Sequence, residues 1–250
     1  MRPSGPDRLY ELDLMRLVAA VMVILYHYMF RLHARDDLSP VQYPVAIEGV
    51  TRYGFLGVQL FFLISGAVIL RSASGRTARS FLKSRATRLF PAYWVMLTIT
   101  FLACRLWGFG AIGNPSAKNY IGNLTMLQTF YGGDLIDGVY WTLARELVFY
   151  AIIMAVIVAH QISNIRYILA GWLLLSVAAE VLSHPFDTRV FLATDYAAFF
   201  IGGATCAQLA QENRPGKRHF LWMLFFTSMA TAVWSTLGRE ARRIGSEAIG

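Results

Sequence analysis

The sequence predicts an all-α protein, a polytopic bundle of about seven transmembrane helices. Three observations carry that prediction. Of the 250 residues, 56% are hydrophobic and only 15% charged, with a mean hydropathy of +0.46; soluble domains carry roughly 25% charged residues. The apolar residues fall in long, sparsely charged runs that approach the ~20 residues a helix needs to cross the hydrocarbon core. The basic residues that produce the net charge of +8 lie between those runs, not in one patch, which is the pattern of loops beside a bilayer. Disordered, collagen-like and nucleic-acid-binding classes are thereby excluded.

The spans are predicted at 12–31, 53–70, 89–107, 139–160, 167–182, 190–210 and 220–238, within one domain over 1–250. The first carries Asp13 and Arg16 near its start and has no Ala-x-Ala site after it, so it reads as a retained anchor and not a cleaved signal. The second and the last are free of charge, and the fifth is the weakest, being short and containing Glu180. Between Gly108 and Gly138 runs a loop whose apolar middle, Tyr120 to Phe130, is expected to lie at the interface or re-enter. Trp94, Trp107, Trp141, Trp172, Trp222 and Trp234 read mostly as interface anchors. Cys104 and Cys206 read as small core residues.

Orientation follows from the short loops, because lysine and arginine stay on the cytoplasmic side. The stretch from Arg71 to Arg88 holds six basic residues and no acid, whereas Arg31 to Arg52 balances three arginines with Asp36, Asp37 and Glu48. The amino terminus is therefore expected in the cytoplasm, with the chain in the inner (plasma) membrane. Seven spans would then leave the basic tail from Arg239 outside, against the rule.

Ionisable groups inside apolar spans are costly unless paired, so each is a functional candidate. His27 lies eleven residues beyond Arg16, ~16 Å along a helix, and Glu146 is ~10 Å inside the fourth span at 1.5 Å per residue. The two are thus at comparable depth in the outer half. A carboxylate beside an imidazole fixes its tautomer and lets it take a proton from a hydroxyl. The same residues also fit a histidine bonded to a backbone carbonyl, with Glu146 neutralised by Arg145 or another helix. Arg145 points ~100° away around the helix and need not share its face. Arg85 and Arg88, spaced i, i+3 before Pro91, suit phosphate recognition by paired guanidinium forks, or lipid headgroups as a stop-transfer cluster. Gly54, Gly57 and Gly66 give the second span small faces for close packing, and Ser65 can bond across helices. His33, His160, His184 and His219 have no ligand spacing, so no metal site is expected.

Four blocks together resemble the acyltransferase-3 family of integral-membrane acyltransferases, which includes enzymes that O-acetylate bacterial surface polysaccharides. They are Leu-Asp-Leu-Met-Arg ending at Arg16, with His27 after ten residues; Gly-Phe-Leu-Gly-Val-Gln-Leu-Phe-Phe-Leu-Ile-Ser-Gly from Gly54 to Gly66; Arg-Ala-Thr-Arg-Leu-Phe-Pro-Ala-Tyr-Trp from Arg85 to Trp94; and Trp-Thr-Leu-Ala-Arg-Glu-Leu-Val-Phe-Tyr from Trp141 to Tyr150. They stand in family order within 12–150; beyond Tyr150 only hydropathy agrees. The resemblance implies an acyl-CoA donor, typically acetyl-CoA, engaged from the cytoplasm, a carbohydrate hydroxyl as acceptor, and no further cofactor. It implies that His27 is the catalytic histidine with Arg16 its motif partner, that Glu146 is the acidic position of the Trp141 block, and that Arg85 and Arg88 lie near the donor's phosphates. Leu14 and Leu17 stand where the family usually has glycine. The family core has about ten helices, so a chain with seven and a basic tail is expected to stop short of the whole enzyme. The alternatives are a proton-coupled secondary transporter using His27 and Glu146 as a relay, or a truncated, inactive acyltransferase.

Overall fold

The computed structural model describes residues 10–35, 41, 43–108, 114–182 and 191–247. Asp36, Asp37 and His184 lie outside them. Among the described residues every regular element is helical. Six helical segments are long and apolar enough to cross a membrane: Tyr10–Leu32, Val45–Ala73, Ala78–Trp107, Gly138–Val158, Ile162–Val181 and Pro215–Arg239. The chain divides into two compact units, Met1–Ile64 and Ser65–Gly250.

In the first unit, α1 (Tyr10–Tyr26) runs into a π-helical stretch, His27–Arg35. A short α2 (Val45–Thr51) follows, then the first half of α3 (Leu56–Ala73). The glycines at the head of α3 explain how it meets α1. A Cβ at Gly54 would overlap the carbonyl oxygen of Met22 and lie 2.7 Å from Tyr26 Cβ. One at Gly57 would overlap the carbonyl oxygen of Ala19 and lie 2.9 Å from Val23 Cγ2. Backbone thus packs on backbone, as small residues permit in bilayers.

The second unit contains the rest of α3 and α4 (Ala78–Trp107), α5 (Ala117–Asn123), α6 (Trp141–Val158), α7 (Ile165–Val181), α8 (Ala197–Leu209) and α9 (Pro215–Glu247). Thr77 caps α4 by accepting from the Ser80 amide at 3.3 Å. Gly108 ends the helix in the left-handed conformation, φ +62°, which glycine adopts without a Cβ penalty. Exposed Val95, Met96, Ile99, Leu102 and Leu106 form an apolar stripe along α4, suited to lipid and not to water. The centre of this unit is aromatic: Phe149 stacks on Trp172 at 5.7 Å and meets Phe200 at 4.6 Å between ring centres.

The loop after α4 folds back along that helix. Tyr93 Oη donates to the Asn123 carbonyl at 2.7 Å, Trp94 Nε1 to the Leu124 carbonyl at 3.0 Å, and Thr98 pairs with Tyr120 at 2.9 Å. Tyr93 lies fourteen residues before the end of α4, so the loop reaches ~21 Å back along it at 1.5 Å per residue. Met126 and Ile136 pack with Tyr93, Leu97 and Tyr140 in its core, and irregular backbone at such depth requires cover by protein.

Several expectations are corrected. The span predicted at 190–210 is a turn over 193–196 followed by the 13-residue α8, ~20 Å long and too short to cross alone. Its residues from Ala197 to Thr205 are all buried, so the run is apolar because protein surrounds it. Trp172 is no interface anchor but a core residue, with Nε1 donating to the Leu192 carbonyl at 2.9 Å. Cys104 is buried as expected, whereas Cys206 is exposed. The last helix runs beyond the span predicted at 220–238, to Glu247.

Candidate functional site

Glu146 is placed by the second turn of α6, and two hydroxyls converge on one of its oxygens. Ser65 Oγ, from α3, donates to Oε1 at 3.1 Å, and Tyr150 Oη, one turn along α6, donates to the same atom at 2.9 Å. Two donors from different helices on one oxygen fix the position of that carboxylate. Tyr150 also joins Glu146 to Arg85. The Arg85 guanidinium lies over the rings of Tyr150, at 6.0 Å, and Phe81, at 5.8 Å. Phe81 meets Tyr150 edge to face at 6.3 Å.

The structure therefore brings together three sequence candidates, Ser65, Glu146 and Arg85, and adds Tyr150. The sequence carries a signal for Tyr150: it stands four residues after Glu146, and i, i+4 residues share a helix face. Arg85 and Arg88 do not share one environment. Arg85 is buried, with Nε among buried atoms that have no hydrogen-bond partner, while Arg88 is exposed. Pro91, one turn beyond Arg88, lies inside α4, where it removes one backbone donor.

Gly66 explains how α3 brings Ser65 close. A Cβ there would overlap the Phe200 carbonyl oxygen and lie 2.9 Å from the Phe200 carbonyl carbon and 3.0 Å from the Ala204 nitrogen. Only glycine lets α3 and α8 approach so closely. In the first unit, Arg16 NH1 pairs with Asp13 Oδ1 at 3.2 Å, one turn away. His27 opens the π-helical stretch and meets Tyr26 edge to face at 5.4 Å. π-Helical turns are rare and often found at functional sites.

Arg145 does not neutralise Glu146. Its NH2 donates to Asp195 Oδ2 at 3.2 Å, and the two side chains are only 10% and 13% exposed. Arg239 NH1 donates to the Asp195 carbonyl at 2.9 Å and its guanidinium covers Tyr196 at 4.9 Å; Tyr196 in turn lies 5.1 Å from Trp141. The pairing of Arg145 with Asp195 spans fifty positions and leaves no local pattern in the sequence.

The acyltransferase domain profile matches residues 9–243, so the chain belongs to the acyltransferase-3 family. Among curated proteins it is similar to nodulation protein 10 of Rhizobium leguminosarum bv. viciae, 30% identical over 194 residues, which cover 67% of this chain and 48% of that protein. It is also similar to the O-acetyl transferase of Shigella phage Sf6, 29% identical over 194 residues, covering 71% of this chain and 54% of that one. The chain thus spans about half the length of the curated relatives it matches. No solved structure matches it.

Proposed function

We propose that this membrane protein transfers an acetyl or similar short acyl group from acyl-CoA to a hydroxyl of a surface carbohydrate. The observation that carries the reading is the carboxylate of Glu146, inside the Trp141 family block and held by Ser65 and Tyr150. The family match and a relative named as an O-acetyl transferase support the reaction class. The six basic residues from Arg71 to Arg88 support a cytoplasmic amino terminus in the inner membrane.

His27 acts as general base. It takes the proton of the acceptor hydroxyl as that oxygen attacks the thioester carbonyl carbon; the carbon–sulfur bond then breaks, and the imidazolium returns the proton to the departing thiolate. Glu146 serves as the acidic group of the Trp141 block, its carboxylate positioned by Ser65 and Tyr150. Arg16 acts as the motif partner of His27, and Arg85 with Arg88 holds donor phosphate, Arg88 from its exposed position.

The test is the acyl content of surface glycans in a strain lacking the gene, complemented with wild-type protein or the His27→Ala variant at matched membrane levels. Acylation restored only by the wild type supports the reading. Equal restoration by both removes His27 from catalysis.

A further inference from the structure

The second unit carries a cavity of about 290 Å³ whose lining includes none of Ser65, Arg85, Glu146 and Tyr150. It forms where the last turn of α3, the first turn of α7, the end of α8 and the start of α9 meet. Four cations from three segments line it: Arg71, Arg166, and the neighbours Arg214 and Lys217. A lipid-facing helix would present its basic residues along one stripe, whereas these converge on a concave surface from three separate parts of the chain.

The acidic group in the wall, Glu212, is already engaged. It accepts from the Arg214 amide at 3.1 Å and lies 3.5 Å from Arg214 Nε, and the amide bond, foremost, holds its carboxyl below the usual range. Glu212 thus offsets one positive charge of four. Two helices also begin here. The residue before α7, Asn164, makes no side-chain cap bond, and α9 starts at Pro215, so partial positive charge at both helix starts adds to the field. The carbonyls at the end of α8 do not cancel it: Arg218 NH1 donates to Leu209 at 3.4 Å and to Glu212 at 3.0 Å. Gln208 in the wall supplies a neutral amide donor. The volume is at the low end for small-molecule sites, roughly 300–1,000 Å³, and fits a headgroup-sized anion.

We propose that this cavity is a phosphate-binding site, which takes a phosphomonoester or diphosphate group between Arg71, Arg166, Arg214 and Lys217. Two sources offer that chemistry, a soluble nucleotide derivative such as CoA and the headgroup of an anionic phospholipid. The inference is independent of the acyl-transfer reading, since a phosphate site here requires no reaction.

The purified protein in phosphatidylcholine nanodiscs is titrated calorimetrically with pyrophosphate and with CoA, and phosphatidylglycerol retention is followed by native mass spectrometry in mixed discs. The Arg166→Gln/Lys217→Gln variant and the single Arg71→Gln variant are compared with Arg105→Gln, a control at the other end of α4. The expected result is salt-sensitive binding of a soluble probe, weakened at least tenfold by the double variant and unchanged by Arg105→Gln. If soluble probes are silent but phosphatidylglycerol is retained and lost in the variants, the site stands with a lipid headgroup as occupant. If the double variant fails to fold, Arg71→Gln alone decides by the same comparison. Equal binding of every probe by wild type and cavity variants overturns the proposal, as does no binding of any.

Discussion

Replacing Tyr150 with phenylalanine removes one oxygen and little else. The ring keeps its edge contact with Phe81 and stays beneath the Arg85 guanidinium, so the packing around it should be kept. What is lost is the 2.9 Å bond to Glu146 Oε1, leaving the 3.1 Å bond from Ser65 as the other hydroxyl on that atom. A hydrogen bond to a charged group contributes about 1.5–3 kcal/mol. At 1.36 kcal/mol per decade of rate, the full loss corresponds to a fall of about ten- to a hundredfold. If Glu146 takes part in the transfer step, that loss belongs to the transition state and appears in kcat, with donor KM unchanged within about twofold. Labelled acyl transfer in purified protein over a range of acyl-CoA concentrations reads both constants. Ser65→Ala should behave alike, and the double variant should depart from additivity because the two donors share one acceptor. Full kcat in Tyr150→Phe would refute the reasoning; a raised KM alone would move Tyr150 to donor binding.

Three further outcomes follow from the packing. Gly66→Ala forces a methyl into the backbone of Phe200 and should cost at least about 1–3 kcal/mol, read as a lowered Tm in detergent. Arg145→Met leaves Asp195 buried without its ion-pair partner and should cost about 3–5 kcal/mol, while Arg145→Met/Asp195→Leu should recover most of it; a double variant that loses as much as the single one would show that the cost does not come from the stranded carboxylate. Asn123, 1% exposed, donates to the Asn119 and Asp134 carbonyls at 2.8 Å and accepts from the Ile136 amide at 3.3 Å. Asn123→Leu should therefore loosen the loop folded along α4, seen as faster proteolysis near Gly132, and unchanged cleavage would contradict that role.

The long spans were legible because a helix in lipid must be apolar along its length, a property of composition alone. α8 was misjudged on the same ground: a short helix enclosed by protein is as apolar as one that crosses, and hydropathy does not distinguish the two surroundings. Trp172 shows the converse, since an indole reads as an anchor until its ring is found stacked on Phe149. In the site, Ser65, Glu146 and Arg85 were legible as polar groups in costly positions. Their meeting was not, because hydropathy gives the cost of a buried group and not its partner. Arg145 and Asp195 make the point most plainly: each is improbable alone in an apolar unit, and only the fold shows that they neutralise each other.

We propose that His27 is the general base for acyl transfer from CoA to a hydroxyl, and transfer of labelled acetyl from acetyl-CoA to glycan in isolated membranes tests this most directly. Label is expected in glycan with wild-type protein, none above background with His27→Ala at the same membrane level, and a dependence on donor concentration that Arg88→Gln weakens. Undiminished transfer by His27→Ala would contradict it.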